Sequence, residues 1–145
     1  LELLADDIFK YFGLGCRSIS QILVPENYDL NKLFKAFYKY RYLIEHPKYT
    51  NNYDYHKTIL LMDKQIFFDN GFLLIKNSKQ LHSPVSVLNY FEYSDVDEVK
   101  NFLLTNNSQI QCVVSKSNND LGNAQKPELN SYADNVDVID FLISF

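Results

Sequence analysis

Apolar and polar positions along the chain recur in two registers, and the switches between them mark the elements. In Leu1 to Tyr11, Leu3, Leu4, Ile8 and Tyr11 repeat at helical spacing, with Asp6, Asp7 and Lys10 between them. That pattern predicts an amphipathic helix with the three charged side chains on its solvent side. Gly13 follows, a residue able to take the left-handed backbone that closes a helix. Ile19 to Val24 ends in the apolar run Ile22-Leu23-Val24, is stopped by Pro25 and reads as a buried strand. Asp29 is placed to cap a helix over Leu30 to Glu45, with Leu33, Phe34, Phe37, Tyr40 and Ile44 on its apolar face and Pro47 ending it. Lys48 to Tyr55 reads as a polar, tyrosine-rich connection, and Tyr55 to Lys64 as a further helix.

Period-two patterning then takes over. Gln65 to Phe68 and Phe72 to Ile75 read as two strands joined through Asp69-Asn70-Gly71, since Asn-Gly favours tight hairpin turns. Val85 to Tyr90 alternates as a strand, Ser94 or Asp95 caps a helix to about Leu104, and Gln109 to Ser115 reads as another strand. Strand, helix and strand in succession predict a right-handed crossover, and hence an α/β fold whose mostly parallel sheet is flanked by helices. Residues 1–116 form the α/β portion in this reading. Residues 117–145 are a polar loop, Ser117 to Asn130, and a short apolar element, Val136 to Ile143, expected to be helical.

Composition narrows the function classes. The chain has 145 residues and 46% apolar content, enough for one core. A net charge of −4 argues against a general nucleic-acid binder, which needs a clustered basic surface. The local basic run Lys32, Lys35, Lys39 and Arg41 alternates with Phe34, Phe37, Tyr38 and Tyr40, as a solvated helix face over an aromatic underside would. The longest apolar runs are short and interrupted, so neither a signal peptide nor a membrane span is predicted. Two cysteines are too few for a disulfide framework and fit a reducing, cytoplasmic setting. The chain begins at Leu1, without methionine and directly in a helical pattern, which reads as a piece of a longer polypeptide.

Cys16 is the leading candidate for chemistry. It stands in Phe12-Gly13-Leu14-Gly15-Cys16-Arg17-Ser18, and a thiol that attacks carbonyl carbon needs open backbone on one side and positive potential to hold its thiolate. Gly13 and Gly15 supply the first; Arg17 and the amides of the following turn could supply the second. On these residues alone, a nucleophile and an inert small side chain stand level. Gly13-Leu14-Gly15 is not a dinucleotide loop, because the third glycine is missing and a helix, not a strand, precedes it. His46, His56 and His82 stand at no metal-ligand spacing with either cysteine, so no metal is expected. His82 lies in a loop ahead of a core strand, where a bland role is the stronger reading. Cys112 falls inside the predicted strand and reads as core.

The segment Gly15-Cys16-Arg17-Ser18-Ile19-Ser20-Gln21-Ile22-Leu23-Val24-Pro25, followed by Tyr28-Asp29 and a helix, resembles the nucleophile region of the aldehyde dehydrogenase superfamily. Ser83-Pro84-Val85-Ser86-Val87, a helix, then Ile110-Gln111-Cys112-Val113-Val114 is similar to the strand, helix and strand that follow there. Phe12 to Arg17, Asn70-Gly71-Phe72, Gln125-Lys126-Pro127 and Tyr132-Ala133-Asp134 resemble the branch of long-chain acyl-CoA reductases related to the reductase of bacterial bioluminescence systems. The resemblance covers nearly the whole chain, and the cysteine segment is its most specific part.

That resemblance implies an aldehyde dehydrogenase catalytic-domain-like fold and an acyl-CoA substrate. It implies Cys16 as the catalytic nucleophile and NADPH as hydride donor, bound mainly by an upstream dinucleotide-binding half that lies outside these residues. Gln80 stands where the superfamily has a glutamate that bonds the nicotinamide ribose, and Ser83 replaces a glycine. An amide can bond a hydroxyl, without the charge-assisted strength of a carboxylate. Residues 1–145 alone are expected to form no aldehyde. Homo-oligomerisation is left open. Two other readings compete: a non-catalytic α/β interaction domain with Cys16 buried, and a thioester-forming acyltransferase without a hydride step.

Overall fold

The computed structural model describes residues 1–115, 121–133 and 136–144. Its centre is a four-stranded sheet in the order β1-β4-β3-β2, built from β1 (Gln21–Pro25), β2 (Phe67–Asp69), β3 (Leu74–Asn77) and β4 (Val87–Tyr93). β4 runs parallel to both β1 and β3, with Gln21 beside Asn89 and Leu74 beside Val87. β2 pairs antiparallel with β3 at one edge. The sheet is thus mixed, mostly parallel and open, and the fold is α/β as expected.

Helices cover both faces, and the strand alternation decides which residue meets which. One face carries Ile22, Val24, Ile75, Leu88 and Tyr90, packed against Leu4, Ile8 and Phe9 of α1 (Glu2–Phe9) and Leu33 and Phe37 of α2 (Asn31–Phe37). Phe9 joins the aromatic side chains here: its ring meets Phe37 edge-on at 5.5 Å and stacks on Tyr40 at 5.0 Å. The other face carries Leu74 and Val87 against Tyr53 and Leu60 of α3 (Pro47–Met62). Phe102 of α4 (Val96–Thr105) stacks there on Phe91 at 5.9 Å. No helix among the described residues is long and apolar enough to cross a membrane.

Four expectations need correction. Gln109 to Ser115 is not a strand: a short 3₁₀ turn, Asn107–Gln109, leads into irregular chain through residues 110–115. No β4–helix–strand crossover therefore forms, and the parallel pairings come from β1 and β3 docking on either side of β4. Cys112 lies in that irregular stretch, half-buried, and not in a strand core. Lys48 to Tyr55 is no connection but the first half of α3, with Pro47 at its first turn, where a missing N–H costs nothing. Tyr49 and Tyr53 are tucked inward one turn apart. Last, Asp7 is on the buried side of α1, fully enclosed, while Leu3 and Tyr11 face solvent.

Smaller shifts have local causes. The predicted helix over Leu30 to Glu45 is α2 followed by a 3₁₀ run, Tyr38–Glu45, and Asp29 accepts from the Asn31 N–H at 3.0 Å. The hairpin register places Asp69 opposite Leu74, because the Asn70 side chain accepts from the Phe72 and Leu73 N–H groups and folds residues 70–73 into the loop. Asp95 caps α4 by accepting from the Glu98 N–H at 2.9 Å. Val138–Ile143 forms α5, capped by Asp137. The described part of the polar tail, residues 121–133, holds no strand or α-helix.

Candidate functional site

The chain reaches Cys16 through a strained bend. After α1, a 3₁₀ turn at Lys10–Gly13 holds Tyr11, Phe12 and Gly13 at φ 56°, 59° and 73°. Left-handed backbone costs a bulky residue about 1–2 kcal/mol, so two such residues in succession persist only where their surroundings hold them. The Phe12 ring packs 4.8 Å from that of His46, and the Leu14 N–H donates to the Tyr11 carbonyl at 3.1 Å. Gly15 to Ser18 is then a tight turn closed by Ser18 N–H to the Gly15 carbonyl at 2.9 Å. Cys16 is at its tip and exposed to solvent. A Cβ on Gly15 would lie 3.1 Å from Ser18 Oγ and 3.3 Å from Gln125 Oε1, so the glycine admits a close approach there.

The turn is held from below by a segment that is distant in sequence. Gln125 Nε2 donates to Ser18 Oγ at 3.1 Å, and Arg17 Nε donates to the Ala124 carbonyl at 2.7 Å. The Gly122 and Ala124 N–H groups donate to the two carboxylate oxygens of Asp7 at 2.6 and 3.0 Å. Ile19 N–H donates to the Asp7 carbonyl at 3.1 Å. Arg17 thus points into the protein, where Nη2 also reaches Cys112 Sγ at 3.4 Å. The positive group beside the thiol in sequence is spent on structure, and the amides of the turn remain the nearby donors along the chain.

Past the turn, Ser20 leads into β1 and links the site to the loop that bears Gln80. Ser20 Oγ donates to the Leu81 carbonyl at 2.6 Å. Asn89, fully buried on β4, donates through Nδ2 to the Gln80 and His82 carbonyls at 2.8 and 2.9 Å. Gln21 Nε2 donates to the Ser78 carbonyl at 3.0 Å. These amides clasp the loop across the sheet face, so Gln80 and His82 are fixed by their backbones while both residues are exposed. Cys16 and Gln80 stand on neighbouring, cross-linked segments.

Two hollows beside α1 lie apart from Cys16. A pocket of about 500 Å³ runs along the outer side of α1, between Leu3, Lys10, Leu121 and Lys126. A second, about 220 Å³, is lined by Phe9, Tyr11, Phe12, Tyr40 and His46 at the strained bend. Cys16 lines neither. Among the described residues no group of three or more His, Cys, Asp or Glu side chains is arranged to hold a metal.

Sequence reasoning singled out Cys16, Gly15 and Arg17 but missed Asp7 and the 121–125 segment. Asp7 carried a signal, since it follows the buried Leu4 at helical spacing. Asp134, part of the resemblance, lies outside the described residues. Compared with known proteins, the chain matches no family model, no curated protein and no solved structure.

Proposed function

We propose that this chain is the cysteine-bearing catalytic part of an acyl-CoA reductase. The observation that carries the reading is the Cys16 turn: an exposed thiol on a rigidly tethered tip, reached through consecutive left-handed residues. Strain of this kind gathers at functional sites, and an exposed sulfur held by its neighbours' bonds suits a nucleophile better than a packing residue. A module with Cys16 buried is disfavoured by that same exposure.

In this reading the Cys16 thiolate attacks the thioester carbonyl of acyl-CoA. The Cys16 S–C bond forms, the C–S bond to coenzyme A breaks, and coenzyme A leaves as a thiol after taking a proton. The developing oxyanion needs aimed donors, and the Cys16 N–H, in a turn whose geometry is fixed, is a candidate. Sulfur is both a strong nucleophile and a good leaving group, which suits acyl transfer in and product release out.

NADPH would supply hydride to the acyl carbon, and the fit of this chain to it is narrow. Gln80 offers an exposed amide for a ribose hydroxyl, on a loop whose backbone Asn89 and Ser20 hold. No strand leading through a glycine-rich loop into a helix exists among the described residues, so the bulk of a dinucleotide would be held by other chain. The test is mass spectrometry of the full-length protein after incubation with acyl-CoA. An acyl adduct on Cys16 supports the proposal, and an adduct elsewhere or none refutes it. An acyl adduct without any binding of a nicotinamide cofactor would point to an acyltransferase instead.

A further inference from the structure

We propose that Asp7 is a positioning residue for Cys16, acting through the Leu121–Gln125 segment; its functional meaning rests on Cys16 being the acyl acceptor. Asp7 is fully enclosed, on the face of α1 that otherwise packs the core. A carboxylate there loses its hydration and must recover it in hydrogen bonds. It does so with two backbone donors that only the distant segment supplies, the N–H groups of Gly122 and Ala124. Both donors converge on one group, and only a carboxylate presents two acceptors and no donor in that space.

The Ala124 peptide turns this bond toward the site. Its N–H faces Asp7 and its carbonyl accepts from Arg17 Nε at 2.7 Å, so a carboxylate and a guanidinium polarise adjoining amides of one residue from opposite sides. Charge-assisted bonds in such a chain reinforce one another. Gln125, the next residue, holds Ser18 Oγ, and the Asp7 carbonyl holds the Ile19 N–H. Arg17, Ser18 and Ile19 are all therefore tied to Asp7, directly or through the segment it anchors. Cys16, immediately before them, projects at the exposed tip. An alanine at position 7 would suit an amphipathic helix better; what the carboxylate adds is a fixed direction for the turn.

The test combines amide hydrogen exchange with two reactions of the Cys16 thiol in the full-length protein. Asp7→Asn keeps one acceptor and puts a donor against the second N–H. It should speed exchange of the Ser18 N–H by about tenfold or more, since local opening then needs less free energy. Transfer of the acyl group from acyl-CoA to Cys16 should fall by about tenfold, while alkylation by iodoacetamide, which demands little orientation, should stay within about twofold. Tyr49→Phe, which removes a hydroxyl bonded to the Phe72 carbonyl in the core, serves as a control that loses stability without moving the ratio of the two rates. If Asp7→Asn does not fold, Gln125→Ala should give a smaller shift of the same ratio. Acceleration of exchange confined to Gly122 and Ala124, or an unmoved ratio, overturns the proposal. If the wild-type thiol is alkylated but never acylated, the nucleophile reading fails, and exchange at Ser18 still decides whether Asp7 positions the turn.

Discussion

Arg17 and Ala124 are joined by a 2.7 Å hydrogen bond from guanidinium Nε to carbonyl, across 107 positions of sequence. The bond fastens the residue after Cys16 to the polar tail of the chain. Removing it strands a half-buried carbonyl and frees one side of the turn. Arg17→Ala should cost about 1.5–3 kcal/mol of stability, the usual range for a bond to a charged donor. Arg17→Lys should recover little of it, because an ammonium has no fork to reach Ala124 and Cys112 together. Urea denaturation of the two variants measures this, and a lysine variant as stable as wild type would contradict it.

Two glycines offer a matched pair. Gly122 and Gly71 both have left-handed backbone, at φ 91° and 90°, but a Cβ on Gly122 would lie 3.1 Å from Leu3 Cβ while one on Gly71 meets open space. Gly71→Ala should therefore show backbone strain alone, about 1 kcal/mol. Gly122→Ala should cost about 2–3 kcal/mol, with the crowding added. Leu3→Ala in the same chain should return part of the difference. Equal costs at the two glycines would mean that the 121–125 segment does not lie against α1 as described.

Acid should weaken the fold through two carboxylates. At Asp69 burial raises the pKa, but Lys57 Nζ at 2.7 Å, the Tyr53 hydroxyl at 2.6 Å and the Gly71 N–H outweigh it and hold the carboxyl below its ordinary value. Asp6 is held low chiefly by the Lys39 ammonium, against partial burial, with the Tyr40 hydroxyl adding to the effect. A folded-state pKa below the unfolded one gives stability that is complete above the unfolded value, near pH 4. That stability is lost as pH falls through the folded value. The urea midpoint should drop below about pH 4, and Asp69→Asn should flatten the drop by up to about 1 kcal/mol, given partial exposure. The opposite sign holds at Tyr53, which burial and then Asp69 push up to about 12. Its contribution is present below about pH 10 and lost as pH rises through 12. Tyr53→Phe should remove its share of the alkaline slope while the shares of Tyr40 and Tyr49, also raised chiefly by burial, remain.

Much of the framework was legible because its apolar periodicity was local. Ile22 and Val24, Leu33 and Phe37, and Leu88 and Tyr90 each fall on the face their spacing predicts. Misreadings occurred where long-range contacts overrode a local pattern. Ile110 to Val114 has the composition of a strand, yet the chain there is irregular, and Cys112 meets Arg17 in it. Lys48 to Tyr55 is polar in composition, yet Tyr49 and Tyr53 bury their rings and satisfy their hydroxyls on Phe72 and Asp69. The turn that presents Cys16 was readable from the flanking glycines. Its supports were not, since no local rule ties Asp7 to Gly122 and Ala124.

The central claim concerns the sulfur of Cys16, and the most direct measurement is mapping of the acyl group after the full-length protein meets acyl-CoA. The account predicts a single thioester on Cys16, absent in Cys16→Ser and discharged on addition of NADPH. Acyl transfer to Cys112, or a Cys16→Ser variant that still takes up the acyl group, would contradict it.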